Sequence, residues 1–171
     1  MPKIIENLRA ELIAEAKRQI LECGYAGTTI RSVAGGCGVG VGTVYNYFES
    51  KDMLIATFML EDWMQSLEKL RTLAYKEPQE LLLAIYTALR EYSERYSAIF
   101  SDPEAHKSFA ATFTHRHGQL RSQLAEIVSP LCGEGDEAML PDFIAEAMLR
   151  WTMAGAAFDE LSAILMRLIK R

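Results

Sequence analysis

The stretch that decides the fold runs from Gly24 to Asp52 and reads GYAGTTIRSVAGGCGVGVGTVYNYFESKD. It holds seven of the chain's eleven glycines, which divide it into short elements. Thr29 is a good N-cap for a two-turn helix, because its side-chain oxygen can accept a hydrogen bond from the first turn. Gly38 can adopt the left-handed conformation that ends such a helix. The residues predicted to face inward from this helix are Ile30, Val33 and Ala34.

A second short helix is predicted from about Val41 to Tyr47, with Val44 and Phe48 buried. Two short helices joined by a glycine-centred turn, after a longer supporting helix, form a helix-turn-helix. The exposed face of the second helix carries hydroxyl and amide groups, which can bond phosphate oxygens and base edges. The side chains on this face are Thr43, Tyr45, Asn46 and Tyr47.

Helical periodicity dominates the rest of the chain, where apolar residues recur every three or four positions and no segment alternates as a strand would. The predicted helices run from about residue 5 to Cys23 with Gly24 as the cap, from about Lys51 to Tyr75, from Pro78 through Tyr96, from Pro103 through Ile127, from Pro141 through Trp151, and over Leu161 to Leu168. The predicted fold class is therefore all-α. An N-terminal three-helix helix-turn-helix domain is expected over residues 1–50, followed by a helical bundle over residues 51–171.

The spacing of the central motif is unbroken over about residues 5–54. It reads Gly-Tyr-x-x-Thr-Thr-Ile, then Val-Ala, then Gly-Val-x-x-Gly-Thr-Val-Tyr-x-Tyr-Phe-x-Ser-Lys-Asp-x-Leu. This pattern resembles the DNA-binding signature of the TetR family of bacterial repressors. The resemblance implies a one-component transcriptional repressor that binds double-stranded operator DNA as a dimer. It also implies release from the DNA by a small, largely apolar effector bound in the helical bundle.

The resemblance also assigns roles to single residues. Recognition-helix positions that usually touch phosphates or bases fall on Thr43, Tyr45 and Tyr47, and the lysine that opens the next helix and grips the DNA backbone falls on Lys51. A cation in the first turn of a helix opposes the macrodipole, but together with free N–H groups it makes a phosphate site. The candidate DNA contacts are Arg31, Thr43, Tyr45, Asn46, Tyr47 and Lys51.

Four positions depart from the family pattern. Gly40 stands where a Ser or Thr usually caps the recognition helix, and Val41 stands where Lys or Arg is frequent. Gly35 and Gly36 replace charged residues and cost about 1 kcal/mol each in an isolated helix. The recognition surface is thus expected to be weakly charged. The alternative is a helical ligand-binding protein of the same fold with weak or lost operator recognition.

The C-terminal region is rich in methionine and aromatic side chains, which suit an adaptable apolar cavity between helices. The other interpretation is that each of these residues is ordinary core or interface. The candidate lining of an effector pocket is Met59, Trp63, Tyr86, Phe109, Phe113, His117, Met148 and Trp151. The resemblance further implies that the last two helices, from Pro141 to Arg171, meet those of a second subunit in a four-helix bundle, giving an isologous homodimer.

The charge of the chain is unevenly distributed. The net charge is −5 and the pI is near 5.3, which taken alone argues against a nucleic-acid binder. Residues 1–51 hold six Lys and Arg against five Asp and Glu, a net charge of +1. Residues 52–171 hold twelve against eighteen, a net charge of −6. The acidity therefore belongs to the bundle, and the helix-turn-helix region is close to neutral.

Other function classes find little support in the sequence. No P-loop, dinucleotide motif or Cys/His cluster occurs, so we expect no cofactor, no metal and no catalytic residues. A small helical-bundle enzyme using His117 or a buried carboxylate is the remaining alternative. No apolar run approaches the roughly 18 residues of a membrane span, and no signal peptide is recognisable. Three scattered cysteines favour a reducing cytoplasm.

Overall fold

The computed structural model describes residues 7–133 and 138–169, with the side chains of residues 110–116 left out. All regular structure in these ranges is helical, which confirms the predicted fold class. The helices are α1 (Leu8–Gly27), α2 (Ile30–Gly36), α3 (Val41–Tyr45), α4 (Lys51–Arg71), α5 (Pro78–Arg95), α6 (Ser97–Phe100), α7 (Pro103–Val128), α8 (Leu140–Met153) and α9 (Phe158–Ile169), with a 3-10 turn at Ser129–Leu131. None of the described helices is long and apolar enough to cross a bilayer.

The chain divides into two compact units. The head unit comprises Met1–Trp63 and Arg95–Ala110, and the body unit comprises Met64–Glu94 and Ala111–Arg171. In the head unit α1 packs against α2 and α6, and α2 packs against α3; in the body unit α8 packs against α9. A division by packing does not test where function divides, so the domains 1–50 and 51–171 stay a prediction.

Helix α1 is kinked where the sequence predicted its end. Gly24 has φ 70°, in the left-handed region, but helical turns resume beyond it and α1 ends at Gly27. The regular helix therefore breaks after Cys23 at a left-handed glycine, as predicted, and the further helical turn up to Gly27 was not predicted. The kink directs Tyr25 inward, where its side chain is buried.

Helix α2 begins and ends as predicted. Thr29 Oγ1 accepts a hydrogen bond from Ser32 N at 3.0 Å, and Ser32 Oγ accepts one from Thr29 N at the same distance, which is a complete capping box. Gly38, with φ 65°, forms the turn after the helix. The inward-facing residues Ile30, Val33 and Ala34 are buried as expected.

Helix α3, the predicted recognition helix, is shorter than predicted and ends at Tyr45 rather than Tyr47. The chain continues in a turn in which Tyr47 N donates to Val44 O at 3.0 Å. Gly40 precedes α3 without any side-chain cap. Val44 and Phe48 are buried, as predicted, and anchor the helix and the turn to the core of the head unit.

Among the longer helices, the starts agree better with the sequence than the ends. Helices α5 and α7 begin at Pro78 and Pro103 as predicted, because proline at the first turn loses no hydrogen bond. Helix α4 ends at Arg71, four residues before the predicted end. Helix α5 stops at Arg95, and Tyr96 becomes the N-cap of the separate short helix α6.

A buried carboxylate joins several elements of the head unit. Asp62 accepts hydrogen bonds from Lys17 Nζ at 2.7 Å, Arg95 at 3.0 Å and the Tyr96 hydroxyl at 2.5 Å. Burial alone would raise the pKa of the Asp62 carboxyl, but the bonds from these partners outweigh it and hold the pKa below its ordinary value. This cluster ties α4 to α1 and to the junction of α5 and α6.

Candidate nucleic-acid interface

The exposed face of α3 and the turn after it carries the predicted recognition residues. The side chains of Tyr45 and Tyr47 are 53% and 46% exposed. Asn46 is also exposed, and Thr43 is half-buried. Val44 faces the other way and is completely buried. The structure therefore leaves all four predicted side chains at least partly exposed, while their contact with DNA stays a prediction.

A shallow open groove adjoins this face. Its lining residues are Thr28, Thr29, Ile30, Arg31, Val41, Tyr45 and Lys51. The groove thus holds two cations, and none of the residues that line it is acidic. Although residues 1–51 are nearly neutral as a whole, this surface is locally positive, which suits the phosphate backbone of nucleic acid.

The ammonium group of Lys51 has a defined position. Its Nζ donates a hydrogen bond to the backbone carbonyl oxygen of Tyr25 at 2.9 Å. The same Nζ lies 3.5 Å from the centroid of the Tyr25 ring. Among the described residues, no carboxylate forms an ion pair with it. An ammonium group has three N–H donors, and the Tyr25 carbonyl accepts from one of them.

Tyr25 was not among the predicted functional residues, although it stands in the quoted motif. Its hydroxyl donates to Asp52 Oδ1 at 2.6 Å and lies 3.4 Å from Ser108 Oγ. Its ring meets Phe109 edge to face, with 6.2 Å between the centroids. Burial raises the pKa of the Tyr25 hydroxyl, and the hydrogen bond to Asp52 raises it further, so the hydroxyl stays protonated.

The two glycines at the end of α2 have different surroundings. A Cβ on Gly36 would overlap the carboxylate of Glu15, whereas a Cβ on Gly35 would meet nothing within 4 Å. The Glu15 carboxylate accepts bonds from Arg18 at 2.6 Å and from Gln19 at 2.7 Å, and these lower its pKa to about 2. Gln19 in turn accepts a bond from Ser32 at 2.6 Å. The glycine at position 36 therefore leaves room for a network between α1 and α2.

The candidate effector-pocket residues fall in different environments. Four of the candidate side chains are buried, as residues of a pocket lining or of the core would be. They are Met59, Trp63 and Phe109 in the head unit and Met148 in the body unit. Trp151 differs from them, because its side chain is 57% exposed. Its place in an effector pocket stays a prediction. The side chain of Phe113 lies outside the described residues.

Two further pocket candidates, Tyr86 and His117, make polar contacts within the body unit. The Tyr86 hydroxyl donates to Ala156 O at 2.9 Å, and its ring lies 5.4 Å from that of Phe158. His117 Nε2 lies 2.9 Å from a carboxylate oxygen of Glu146, and both side chains are partly exposed. Among the described side chains, no group of three His, Cys, Asp or Glu residues could hold a metal ion.

Comparison with known proteins finds similarity to one family. Residues 12–57, from α1 into α4, match the profile of bacterial regulatory proteins of the tetR family. The HTH-type transcriptional regulator BetI of Burkholderia cenocepacia (strain HI2424) is 29% identical over 181 aligned residues, which cover 96% of this chain and 93% of that protein.

Solved structures share the whole fold. Salmonella enterica GusR superposes with a TM-score of 0.74 at 18% identity, covering 100% of this chain and 99% of that one. The TetR-family repressor FadR of Thermus thermophilus, solved in complex with lauroyl-CoA, gives a TM-score of 0.58 at 20% identity, covering 94% and 92%.

The glycine-centred turn, the exposed polar face of α3 and the adjoining positive groove form a helix-turn-helix unit of the kind that DNA-binding proteins use. Over residues 12–57 the chain is similar to the bacterial regulatory proteins of the tetR family.

Proposed function

We propose that this regulator is a repressor that binds operator DNA as a homodimer and leaves it when a small, largely apolar effector binds. The observation that carries the proposal is the exposed polar face of α3 beside a groove with two cations and no acidic residue. Such a surface combines groups for base edges with charges for phosphates, which are the two parts of sequence-specific DNA recognition.

Each candidate residue has a proposed role. Tyr47 and Asn46, which follow the end of α3 and are exposed, contact base edges or the adjacent phosphates. Thr43 and Tyr45 donate hydroxyl hydrogen bonds to phosphate oxygens. The cations Arg31 and Lys51 pair with phosphates at the edge of the groove, which fixes the register without reading sequence.

The proposed dimer uses apolar side chains that α8 and α9 leave exposed. On α8 the large side chains Phe143 and Trp151 are both more than half exposed and stand eight positions apart, so they share one helical face. Ile164 on α9 is 60% exposed. Exposed apolar residues clustered in this way are typical of protein interfaces. A twofold dimer presents two recognition helices to successive major grooves about 34 Å apart.

The proposed release is a population shift. An effector that binds more tightly to a dimer whose recognition helices do not match the groove spacing lowers operator affinity by that difference in affinity. The Thermus FadR structure holds lauroyl-CoA, so this fold can accommodate an apolar acyl ligand. Lauroyl-CoA is therefore a rational first probe. Binding should raise the melting temperature and weaken DNA binding, and an absence of both effects would remove acyl-CoA from the candidates.

The DNA proposal is tested with the duplex upstream of the protein's own gene and a random duplex of equal length. Wild type should bind the first more tightly at every salt concentration. The Tyr47→Ala variant should lose roughly tenfold in affinity for the upstream duplex, a cost of about 1–3 kcal/mol for one base contact, with unchanged helicity. Tyr47 is exposed, so its removal leaves no cavity. Equal binding of wild type to both duplexes would contradict operator recognition.

One observation favours the second candidate, a ligand-binding protein with weak operator recognition. Helix α3 has only five residues, and Gly40 gives it no side-chain cap. This protein would bind a ligand and show DNA affinity that depends on salt but not on sequence. The pair of duplexes described above separates the two candidates.

A further inference from the structure

We propose that Tyr25 is a positioning residue for Lys51: its hydroxyl holds the neighbouring Asp52 carboxylate, so that the Lys51 ammonium stays available to a DNA phosphate. The inference rests on the proposed function, in which Lys51 contacts the DNA backbone. It assigns to a buried tyrosine of α1 a role in the charge of the groove.

Two side chains of opposite charge at the start of α4 both contact Tyr25. The Asp52 carboxylate is bound at the hydroxyl of Tyr25, 2.6 Å away, while the Lys51 ammonium lies over the face of the ring and against the Tyr25 carbonyl. The two charged groups are sequence neighbours, yet they form no ion pair. Tyr25 therefore contacts both charged groups, and the two groups stay apart.

The Tyr25 hydroxyl donates its one proton in the hydrogen bond to Asp52. A phenol has one O–H to donate, and the 2.6 Å contact with Asp52 is much shorter than the 3.4 Å contact with Ser108. Ser108 at the start of α7 is left to donate to the tyrosine oxygen. Among the described residues, Tyr25 is the only side chain that donates a hydrogen bond to Asp52. Without this hydroxyl, the carboxylate would be left beside a half-buried ammonium on the same ring.

The consequence for DNA binding follows from the charges. An ammonium paired with its own carboxylate displaces fewer counterions from DNA than a free one. The logarithm of the binding constant falls linearly with the logarithm of the salt concentration, with a slope of about 0.9 for each phosphate neutralised. Removing the Tyr25 hydroxyl should therefore reduce the slope as much as removing the Lys51 charge itself.

The experiment measures this slope for full-length variants on the upstream duplex. Lys51→Met sets the scale and should reduce the slope by about one. Tyr25→Phe, which keeps the ring and the carbonyl, should reduce it by the same amount. The double variant Tyr25→Phe with Asp52→Asn should recover the wild-type slope, because the competing carboxylate is gone. Ser108→Ala is the matched control and should leave the slope unchanged.

The outcomes separate the inference from the proposed function. If Lys51→Met reduces the slope but Tyr25→Phe does not, the positioning role is overturned and the DNA contact stands. A reduced slope in Tyr25→Phe that Asp52→Asn does not recover also overturns it, because a purely structural defect would persist. If wild type does not bind, or Lys51→Met leaves the slope unchanged, both proposals fail together.

A second variant covers the case in which Tyr25→Phe does not fold. Asp52→Glu keeps the tyrosine and lengthens the acid by one methylene, which disturbs the 2.6 Å contact between the carboxylate and the Tyr25 hydroxyl. Its slope should also fall by about one. A wild-type slope in this variant would overturn the inference.

Discussion

At the scale of single residues, Asp62 shows how much one buried charge can organise. Its carboxylate is almost inaccessible and is satisfied by two cations and a fully buried tyrosine hydroxyl, which come from α1 and from the junction of α5 and α6. Such a group stabilises the fold only while its partners stay in place, because an uncompensated buried charge is costly. The cluster also explains why Tyr96 leaves the line of α5, since its hydroxyl is bound to a residue 34 positions away.

Replacing Asp62 should therefore destabilise the protein strongly. Asp62→Asn should lower the free energy of unfolding by about 2–3 kcal/mol, somewhat less than for a fully buried pair because Lys17 and Arg95 are partly exposed. The neighbouring Glu61→Gln, which breaks an exposed pair with Arg9, is the control and should cost about 0.5 kcal/mol or less. Urea denaturation of both variants measures the difference, and equal losses would contradict the role assigned to the buried cluster.

The same carboxylate should be visible in the pH dependence of stability. The pKa of Asp62 is lower in the folded protein than its ordinary value of 3.8, so its contribution is fully present above pH of about 4 and is lost as the pH falls further. The difference in unfolding free energy between wild type and Asp62→Asn should thus be constant near neutral pH and shrink in acid. A difference that grows below pH 4 would contradict a lowered pKa of Asp62 in the folded protein.

At the scale of elements, the helix-turn-helix depends on contacts between helices as much as on local propensity. Helix α2 has seven residues, two of them glycine, and would be marginal alone. Its capping box is extended by the bond from Ser32 to Gln19 on α1, which is itself bonded to Glu15. The supporting helix thus fixes both ends of α2, since Glu15 also occupies the space above Gly36.

The two glycines of α2 should respond differently to alanine. Gly35→Ala has open space and a helical backbone, so it should raise the free energy of unfolding by up to about 1 kcal/mol. Gly36→Ala gains the same propensity but displaces the Glu15 carboxylate from Gln19, so its net effect should be zero or destabilising. Chemical denaturation of the two variants side by side measures this, and equal stabilisation by both would argue against the Glu15 contact.

The sequence predicts elements where a local rule decides them. The capping box at Thr29, the turn at Gly38 and the starts at Pro78 and Pro103 each follow from the chemistry of one or two residues, and all are confirmed. The break of α1 at Gly24 also follows from a single residue. The helical turn that continues to Gly27 could not be predicted this way, because a glycine with positive φ can either end a helix or kink it.

In the candidate site, too, only the features that depend on local sequence could be predicted. The exposed face of α3 follows from helical periodicity, whereas the contacts of Tyr25 with Asp52 and Ser108 span 27 and 83 positions and leave no local signature. The exposure of Trp151 could not be predicted for a related reason. Helix α8 carries apolar residues on two faces, and periodicity cannot tell which of them packs within the chain.

At the scale of the whole molecule, the exposed apolar face of α8 predicts assembly. Trp151→Glu should shift the protein to monomer, because a buried charge at a twofold interface occurs twice. It should also weaken operator binding, since one recognition helix engages only one half-site. Leu83→Glu, at a similarly exposed leucine on α5, is the control and should stay dimeric. Sedimentation velocity distinguishes them, and an unchanged mass for Trp151→Glu would place the interface elsewhere.

The close approach of Glu15 to Gly36 has a consequence for the history of this sequence. Because any side chain at position 36 would meet the carboxylate where it now lies, a substitution there requires the Glu15 side chain to move. Relatives that carry a larger residue at position 36 should carry a shorter or redirected one at position 15. The pair should therefore emerge as covarying when many such chains are aligned, linking the supporting helix to the end of α2 through inheritance as well as through contact.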